Sequence, residues 1–136
     1  MEITVHQVEG RVPVTVLRPH GDLDASNYRD LVAKAKEAYE AGARDMVLDL
    51  SETPYMSSSG LVALHTIALM LRGEPPPDED LGWKALRAIR RDADGDVHEH
   101  CKLCSPQPRV DKVLDMAGFK QFIEVYSDLD AAVASF

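Results

Sequence analysis

The order of apolar patterns along the chain is the feature that most restricts how it can fold. Two β-rich segments, 3–8 and 12–18, are separated by the tripeptide EGR, which is typical of a hairpin. Helical spacing and short apolar runs then alternate, so the predicted order is β-β-α-β-α, an insertion, and β-α-β-α. Strands that alternate with helices indicate parallel pairing, and the hairpin adds an antiparallel pair. The sequence therefore predicts a single α/β domain over residues 1–136, with a mixed β-sheet packed against about four helices.

The spacing of apolar residues sets the bounds of the remaining elements. The predicted helices cover 28–39, 61–72 and 110–117, with a last helix that ends at residue 136, and the predicted strands cover 46–50, 101–104 and 122–126. The second helix is apolar almost all round, which indicates packing on more than one side. Side-chain caps are expected from Ser26 or Asp24 on the first helix and from Asp128 or Ser127 on the last.

An insertion at about 73–100 separates the second helix from the next strand. It opens with GEPPPDED, which breaks regular structure, and continues with LGWKALRAIRR, whose spacing predicts a short amphipathic helix. The patterns on either side are complete without residues 74–98, so we expect the fold not to require them. Its apolar residues Trp83, Leu86 and Ile89 either dock a partner, cap the edge of the sheet, or belong to a surface excursion without a function of its own.

The charge of the chain excludes several classes of partner. A formal net charge of −8 repels the phosphate backbone of nucleic acids and anionic lipid alike. We therefore expect no nucleic-acid and no membrane partner, and a protein partner instead. The first residues, MEITVHQVEG, lack the features of an export signal, and no apolar run approaches the ~18 residues of a membrane span. A cytoplasmic protein is expected, and the sequence indicates no particular oligomeric state.

The run TPYMSSSGLVAL places three serines, Ser57, Ser58 and Ser59, directly before the second helix. One interpretation is a helix N-cap, in which a hydroxyl accepts a hydrogen bond from the first turn. A second is a nucleophile, but Met56 stands where the hydrolase elbow requires glycine, and no histidine is well placed as a base. A third is phosphorylation, because a phosphate at a helix N-terminus meets N–H donors and the positive end of the dipole. Such a phosphate spares the fold and disrupts a docked partner, which suits a switch.

Cys101 and Cys104 form a C-x-x-C pair that follows His98 and His100. These are metal-ligating residue types, but a structural zinc site normally draws its second ligand pair from a distant point, and all four residues here lie within seven positions. The cysteines are also an odd number of residues apart, so they cannot share one face of a regular strand. We therefore expect buried core residues rather than a metal site or a redox pair. The sequence contains no Gly-rich phosphate loop of a standard type, so no cofactor is predicted.

The succession GDLDAS, VLDLS, YMSSSGL and CSPQPRVDKVLDMAGF resembles the STAS family, the domains of sulphate transporters and anti-sigma factor antagonists. The resemblance covers 3–72 and 101–136, and it is strongest to the small stand-alone bacterial members that act as anti-anti-sigma factors. It implies a mixed sheet with helices, in agreement with the order of strands and helices above. It does not account for the insertion, because stand-alone members connect the second helix and the next strand through a short turn.

The resemblance implies a non-enzymatic partner switch. The unmodified protein would bind an anti-sigma factor that is also a serine kinase, phosphorylation by that kinase would break the complex, and a phosphatase would restore it. The family pattern of Asp, two Ser/Thr and Gly makes Ser58 the acceptor, followed by Ser59 and Gly60. The aspartate position holds Ser57 here, so Ser57 and Ser59 remain alternative acceptors.

The docking face that the resemblance implies surrounds this acceptor. It consists of Asp22, Asp24, Ser57, Ser59 and Gly60. The two aspartates are equally well explained as turn and cap residues, and both interpretations stay open. A different class of function also stays open, in which the domain is a scaffold or a ligand-sensing subunit of a stress-signalling or lipid-transport complex. The serine in the acceptor position favours the switch, and the long insertion favours the scaffold.

Overall fold

The computed structural model of the chain describes residues 1–73 and 97–136. The strands are β1 (Glu2–Glu9), β2 (Pro13–His20), β3 (Met46–Asp49), β4 (Cys101–Cys104) and β5 (Val125–Tyr126). The helices are α1 (Tyr28–Glu40), α2 (Ser58–Arg72), α3 (Pro108–Met116) and α4 (Leu129–Ala134), with a 3₁₀ turn at Phe119–Gln121. The amphipathic helix predicted within the insertion, with Trp83, Leu86 and Ile89, lies outside the described residues.

The five strands form one mixed sheet in the order β1-β2-β3-β4-β5. β1 and β2 are antiparallel, in a register that sets Glu2 opposite His20 and Glu9 opposite Pro13. The pairs β2–β3, β3–β4 and β4–β5 are parallel. This sheet and its helices confirm the predicted α/β architecture. Because spatial order follows chain order, the loops after β2, β3 and β4 lie side by side at the carboxyl end of the sheet.

The helices cover the two faces of the sheet unequally. The larger core contains buried apolar side chains of α1, α2 and α3, while α4 packs on a smaller cluster that includes Val14, Val16 and Val47. Every residue of α2 from 60 to 69 is buried, which confirms the predicted packing on more than one side. Full burial of one Leu or Ile side chain contributes ~1.5–3 kcal/mol to the stability of the fold. Because α2 buries several such side chains, it is the main apolar element of the fold.

Two local predictions are wrong. The strand predicted over 122–126 is reduced to β5, because Phe119 and Phe122 both fill the core with their ring centroids 4.8 Å apart. A 3₁₀ turn places residues three apart on one side, whereas a strand would point one ring away from the core. The capping of α1 by Ser26 or Asp24 is also wrong, since the N-cap residue is Asn27, without a side-chain cap hydrogen bond.

The predicted cap of the last helix is confirmed at one of its two candidates. Asp128 is the N-cap residue of α4, and its carboxylate Oδ1 accepts a hydrogen bond from the backbone N–H of Ala131 at 2.8 Å. A side-chain cap of this kind contributes ~1 kcal/mol. α4 is short and buries two of its residues, Ala132 and Val133, so the cap is a substantial part of what stabilises this helix.

The described ends of the insertion lie close together, since Nη2 of Arg72 is 3.4 Å from Nε2 of His98, and a short linker can therefore join them. α2 ends at Gly73 in a left-handed conformation with φ 84°, and His98 is buried, with its N–H donating to the carbonyl of Phe122 at 2.8 Å. Because His98 is buried, the segment expected to be dispensable is shortened from 74–98 to 74–96. We expect that replacing 74–96 with a Gly/Ser linker leaves a single cooperative thermal transition and a modest loss of stability. Calorimetry of the shortened protein checks this. A molten or insoluble product would mean that the insertion contributes to the core.

An ion pair between the buried Asp49 at the end of β3 and the partly exposed Arg18 makes the stability of the fold dependent on pH. Asp49 is 3% exposed, Arg18 donates to its Oδ2 at 2.9 Å, and the N–H of Ser51 donates to its Oδ1 at 3.0 Å. Burial alone would raise the pKa of Asp49, but the hydrogen bonds from Ser51 and Arg18 outweigh burial and hold that pKa below its usual value. The carboxylate therefore stabilises the fold above the unfolded-chain pKa of about 3.9, and this contribution is lost as the pH falls through the lower folded-state pKa.

We expect Arg18→Met to lower the free energy of unfolding at pH 7 by about 1–3 kcal/mol. Loss of one partner from a buried pair commonly costs ~3–5 kcal/mol, and the estimate is reduced here because the Arg18 side chain is 30% exposed. Urea denaturation at pH 7 and at pH 3 measures the effect. Asp49→Asn removes the titrating carboxyl group, so its free energy of unfolding should fall less than that of the wild type as the pH is lowered. An equal loss for Arg18→Met at both pH values would contradict the assignment of the effect to this ion pair.

Candidate functional site

The loops after β2 and β3 are joined by main-chain hydrogen bonds. The N–H groups of Gly21 and Leu23 donate to the carbonyls of Glu52 and Tyr55, each at 3.0 Å, and the N–H of Ser57 donates to the carbonyl of Leu23 at 2.9 Å. Leu23 and Met56 form an isolated parallel bridge, and both side chains are fully buried. The bridge extends the pairing of β2 and β3 beyond the sheet. It therefore fixes the segment 22–24 beside the three serines.

The three serines occupy different environments. Ser57 is the N-cap residue of α2, and its Oγ accepts a hydrogen bond from the N–H of Ser59 at 3.2 Å. Ser58 is the first helical residue and is exposed, while Ser57 and Ser59 are half-buried. The cap interpretation therefore holds for Ser57. Of the three side chains, that of Ser58 is the one most open to an approaching protein.

Gly60 brings the first turn of α2 close to the bridge beneath it. It is buried, and a Cβ at this position would lie 2.3 Å from Cγ of Met56 and 3.2 Å from Cδ2 of Leu23. Both distances are shorter than ordinary van der Waals contact. Glycine is thus required here for the close approach of the helix to the two loops. By allowing this approach, Gly60 fixes the position of the serines relative to the two loops.

The two aspartates of the β2–α1 loop have different roles. The Asp24 carboxylate accepts hydrogen bonds from the N–H of Ser26 at 2.9 Å and from its hydroxyl at 2.6 Å. These two hydrogen bonds hold the pKa of the Asp24 carboxyl below its usual value. The main chain of Asp22 accepts from Asn27, while the side chain of Asp22 is exposed. Asp24 thus stabilises the turn, and the Asp22 carboxylate stands at the surface.

Tyr55 of the β3–α2 loop and Arg109 at the start of α3, which the sequence did not single out, form a contact beside the serines. The Gln107 side chain, just before α3, donates to the carbonyl of Ser51 at 2.8 Å and joins the β4–α3 loop to the β3–α2 loop. The Arg109 guanidinium lies over the Tyr55 ring, 5.3 Å from its centroid. Tyr55 is 38% exposed, whereas the other Phe and Tyr residues within 1–73 and 97–136 are buried or half-buried. The order of the strands places the loops after β3 and β4 together, but no spacing along the chain predicts this pair.

The cysteines and histidines near β4 lie in separate environments. Cys101 and Cys104 are buried in the two different core clusters, and burial raises the pKa of each thiol to about 12. His98 packs edge-on against Phe122, while His100 contacts the Asp45 carboxylate at 2.7 Å. The interpretation of the cysteines as core residues is confirmed. Within 1–73 and 97–136, no group of three or more His, Cys, Asp or Glu side chains is arranged to hold a metal ion.

The histidine on α2 is part of the core. His65 is fully buried, and its ring contacts that of Phe122 in an edge-to-face arrangement with centroids 5.9 Å apart. It lies two turns along the helix from Ser58, so the structure adds no support to the nucleophile interpretation. In the described part of the chain, no helix is both long enough and apolar enough to cross a membrane.

Comparison with known proteins identifies a family and a relative. The family model for the STAS domain matches residues 5–74. BtrV from Bordetella bronchiseptica, which is named as an anti-sigma factor antagonist, is 25% identical over 136 residues, covering 100% of this chain and 95% of that protein.

Solved structures share the fold at low sequence identity. An anti-sigma factor antagonist from Thermotoga maritima gives a TM-score of 0.69 at 17% identity, covering 96% of this chain and 90% of that chain. The anti-sigma factor antagonist SpoIIAA, unphosphorylated, gives a TM-score of 0.58 at 20% identity, with coverages of 96% and 92%. Phosphorylated SpoIIAA from Bacillus gives 0.50 at 18% identity, with 96% of each chain covered.

Proposed function

The chain belongs to the STAS domain family, and we propose that it is a non-enzymatic anti-sigma factor antagonist controlled by phosphorylation of Ser58. In this proposal the unmodified protein binds an anti-sigma factor that is also a serine kinase, and so frees a sigma factor. Phosphorylation of Ser58 by that kinase breaks the complex, and a phosphatase restores it. A cytoplasmic location is part of the proposal, because the partners act on transcription.

The exposed position of Ser58 at the start of α2 is the observation that carries this proposal. The first-turn N–H groups and the helix dipole accommodate a phosphate at this residue, so the fold tolerates a charge of about −1.5 to −2. A partner in contact with Ser58 would have to bury that charge. Phosphorylation of Ser58 would therefore weaken the complex and leave the fold stable, as a switch requires.

The surroundings of Ser58 support a protein-docking face. The Asp22 carboxylate is exposed on the neighbouring loop, and the Leu23–Met56 bridge fixes that loop relative to the serines. Ser57, Ser59 and Gly60 hold the first turn of α2 in place. A rigid face of this kind loses little conformational freedom on binding, which favours affinity. The names of BtrV and SpoIIAA agree with an anti-sigma factor as the partner.

Phosphopeptide mapping tests the assignment of the acceptor. The protein is incubated with ATP and the purified anti-sigma kinase of its source organism, and we expect the label on Ser58. Ser58→Ala should bind the kinase and remain unlabelled, because the Ser57 hydroxyl is engaged in the cap and Ser59 is half-buried. Label on Ser57 or Ser59 would move the acceptor within the loop. No label with any serine kinase of that organism would favour the scaffold or ligand-sensing function instead.

A further inference from the structure

Charged side chains are distributed unequally along the carboxyl end of the sheet. The strand order β2-β3-β4 places the loop with Asp22 on one side of Ser58 and the start of α3, with Arg109, on the other. The exposed carboxylate of Asp22 therefore lies on the β2 side of Ser58, and the exposed guanidinium of Arg109 lies on the β4 side. A partner that covers all three loops must present the opposite arrangement, and charge complementarity of this kind fixes the orientation of a complex.

Tyr55 lies on the same side of this face as Arg109, and its main chain is held in place. Its carbonyl accepts the hydrogen bond from Leu23, so the main chain beneath the ring is held by the bridge between the two loops. Tyr55 is 38% exposed although its ring carries a large apolar surface. Tyrosine is enriched among the residues that dominate binding energy at protein interfaces, since it buries much area at a small cost in side-chain entropy.

The guanidinium of Arg109 is oriented but not neutralised. It lies over the Tyr55 ring at 5.3 Å, a geometry that holds the planar group in place. Within residues 1–73 and 97–136, no ion pair and no hydrogen bond engages this guanidinium, and Arg109 is exposed. Its N–H donors are thus available in the fork geometry that matches a carboxylate.

We propose that Arg109, stacked on Tyr55, binds a carboxylate of the anti-sigma factor, and that the pair is a second anchor of the docking face beside Ser58. This inference rests on the proposed function and adds the chemistry of the partner's contact surface. The partner places an acidic side chain over the start of α3, on the side of Ser58 opposite Asp22. The pair thereby fixes the orientation in which the partner's active site meets Ser58.

Calorimetric titration with the purified anti-sigma kinase of the source organism tests the inference. We expect Arg109→Glu to raise the Kd at least about 30-fold and Tyr55→Ala about 10-fold, as for residues that anchor an interface. Arg109→Lys should fall between Arg109→Glu and the wild type, because lysine keeps the charge but lacks the planar fork. Lys36→Glu on α1 makes the same change of net charge at an exposed site away from the face, and it should bind nearly as the wild type does.

Two further readouts separate the possible outcomes. Thermal melts of Arg109→Glu and Tyr55→Ala should stay close to the wild type, which excludes loss of the fold as the cause of weak binding. A Kd for Arg109→Glu equal to that of Lys36→Glu would overturn the inference. Ser58→Asp, titrated in parallel, reports the proposed function by itself, since it should prevent binding whether or not Arg109 takes part.

Discussion

Ser58→Asp should melt within a few degrees of the wild type and lose its affinity for the anti-sigma kinase. A carboxylate at the first residue of α2 interacts favourably with the helix dipole, by about 0.3–1 kcal/mol, and an exposed substitution otherwise changes stability by under ~0.5 kcal/mol. At the interface the same charge must be buried, and juxtaposed like charges cost several kcal/mol. We expect the Kd to rise at least about 100-fold, at 1.4 kcal/mol for each factor of ten. Differential scanning calorimetry and titration calorimetry measure the two effects.

Ser58→Asn is the matched control, because asparagine has nearly the shape of aspartate without its charge. It should bind within about tenfold of the wild type if charge is the cause of the loss. Equal losses for the asparagine and aspartate variants would assign the effect to size, and the proposed switch would then lack its electrostatic basis. Retained affinity in Ser58→Asp would remove Ser58 from the docking face.

The sequence predicted the architecture because its main determinants are local and periodic. Apolar spacing identifies α1, α2 and α3, and alternation with short buried runs predicts a parallel sheet. The cap formed by one of the serines could be predicted for the same reason, since a small polar residue before an apolar helix is a capping signal. Ser57 has this role, and Gly60 follows at the position where the helix approaches the loops.

The features that the sequence missed depend on contacts between distant segments. The core requires both Phe119 and Phe122 on one side, and the chain therefore turns at 119–122, so that the strand predicted from 122 begins only at Val125. The pair of Tyr55 and Arg109 joins the loop after β3 to the start of α3, and their contact follows only from the order of the strands. The assignment of Asp24 to a turn depends on its two hydrogen bonds from Ser26, which its position in the sequence leaves open.

Gly60→Val should destabilise the protein by about 3 kcal/mol or more, because overpacking a filled site costs ~1–3 kcal/mol for the first added groups and valine adds branched bulk. Its Cβ would overlap Cγ of Met56, an atom near the main chain of a fully buried residue that has little room to move. Gly60→Ala should cost less, since alanine gains about 1 kcal/mol in helix propensity over glycine. Urea denaturation measures both variants. Amide hydrogen exchange at Leu23 and Ser57 should accelerate as the bridge between the loops is strained.

A double-mutant cycle with Met56→Ala identifies the contact responsible. Met56→Ala alone should cost about 2–5 kcal/mol, because it leaves a cavity in the core. It also deletes the Cγ atom that lies 2.3 Å from the position of the new Cβ. Gly60→Ala made in the Met56→Ala background should therefore be neutral or stabilising, with a coupling energy of about 1–3 kcal/mol between the two sites. Additive costs would show that Gly60 is needed for a reason other than the close approach of α2 to Met56. The position of Ser58 would then depend on α2 itself and not on the contact between Gly60 and Met56.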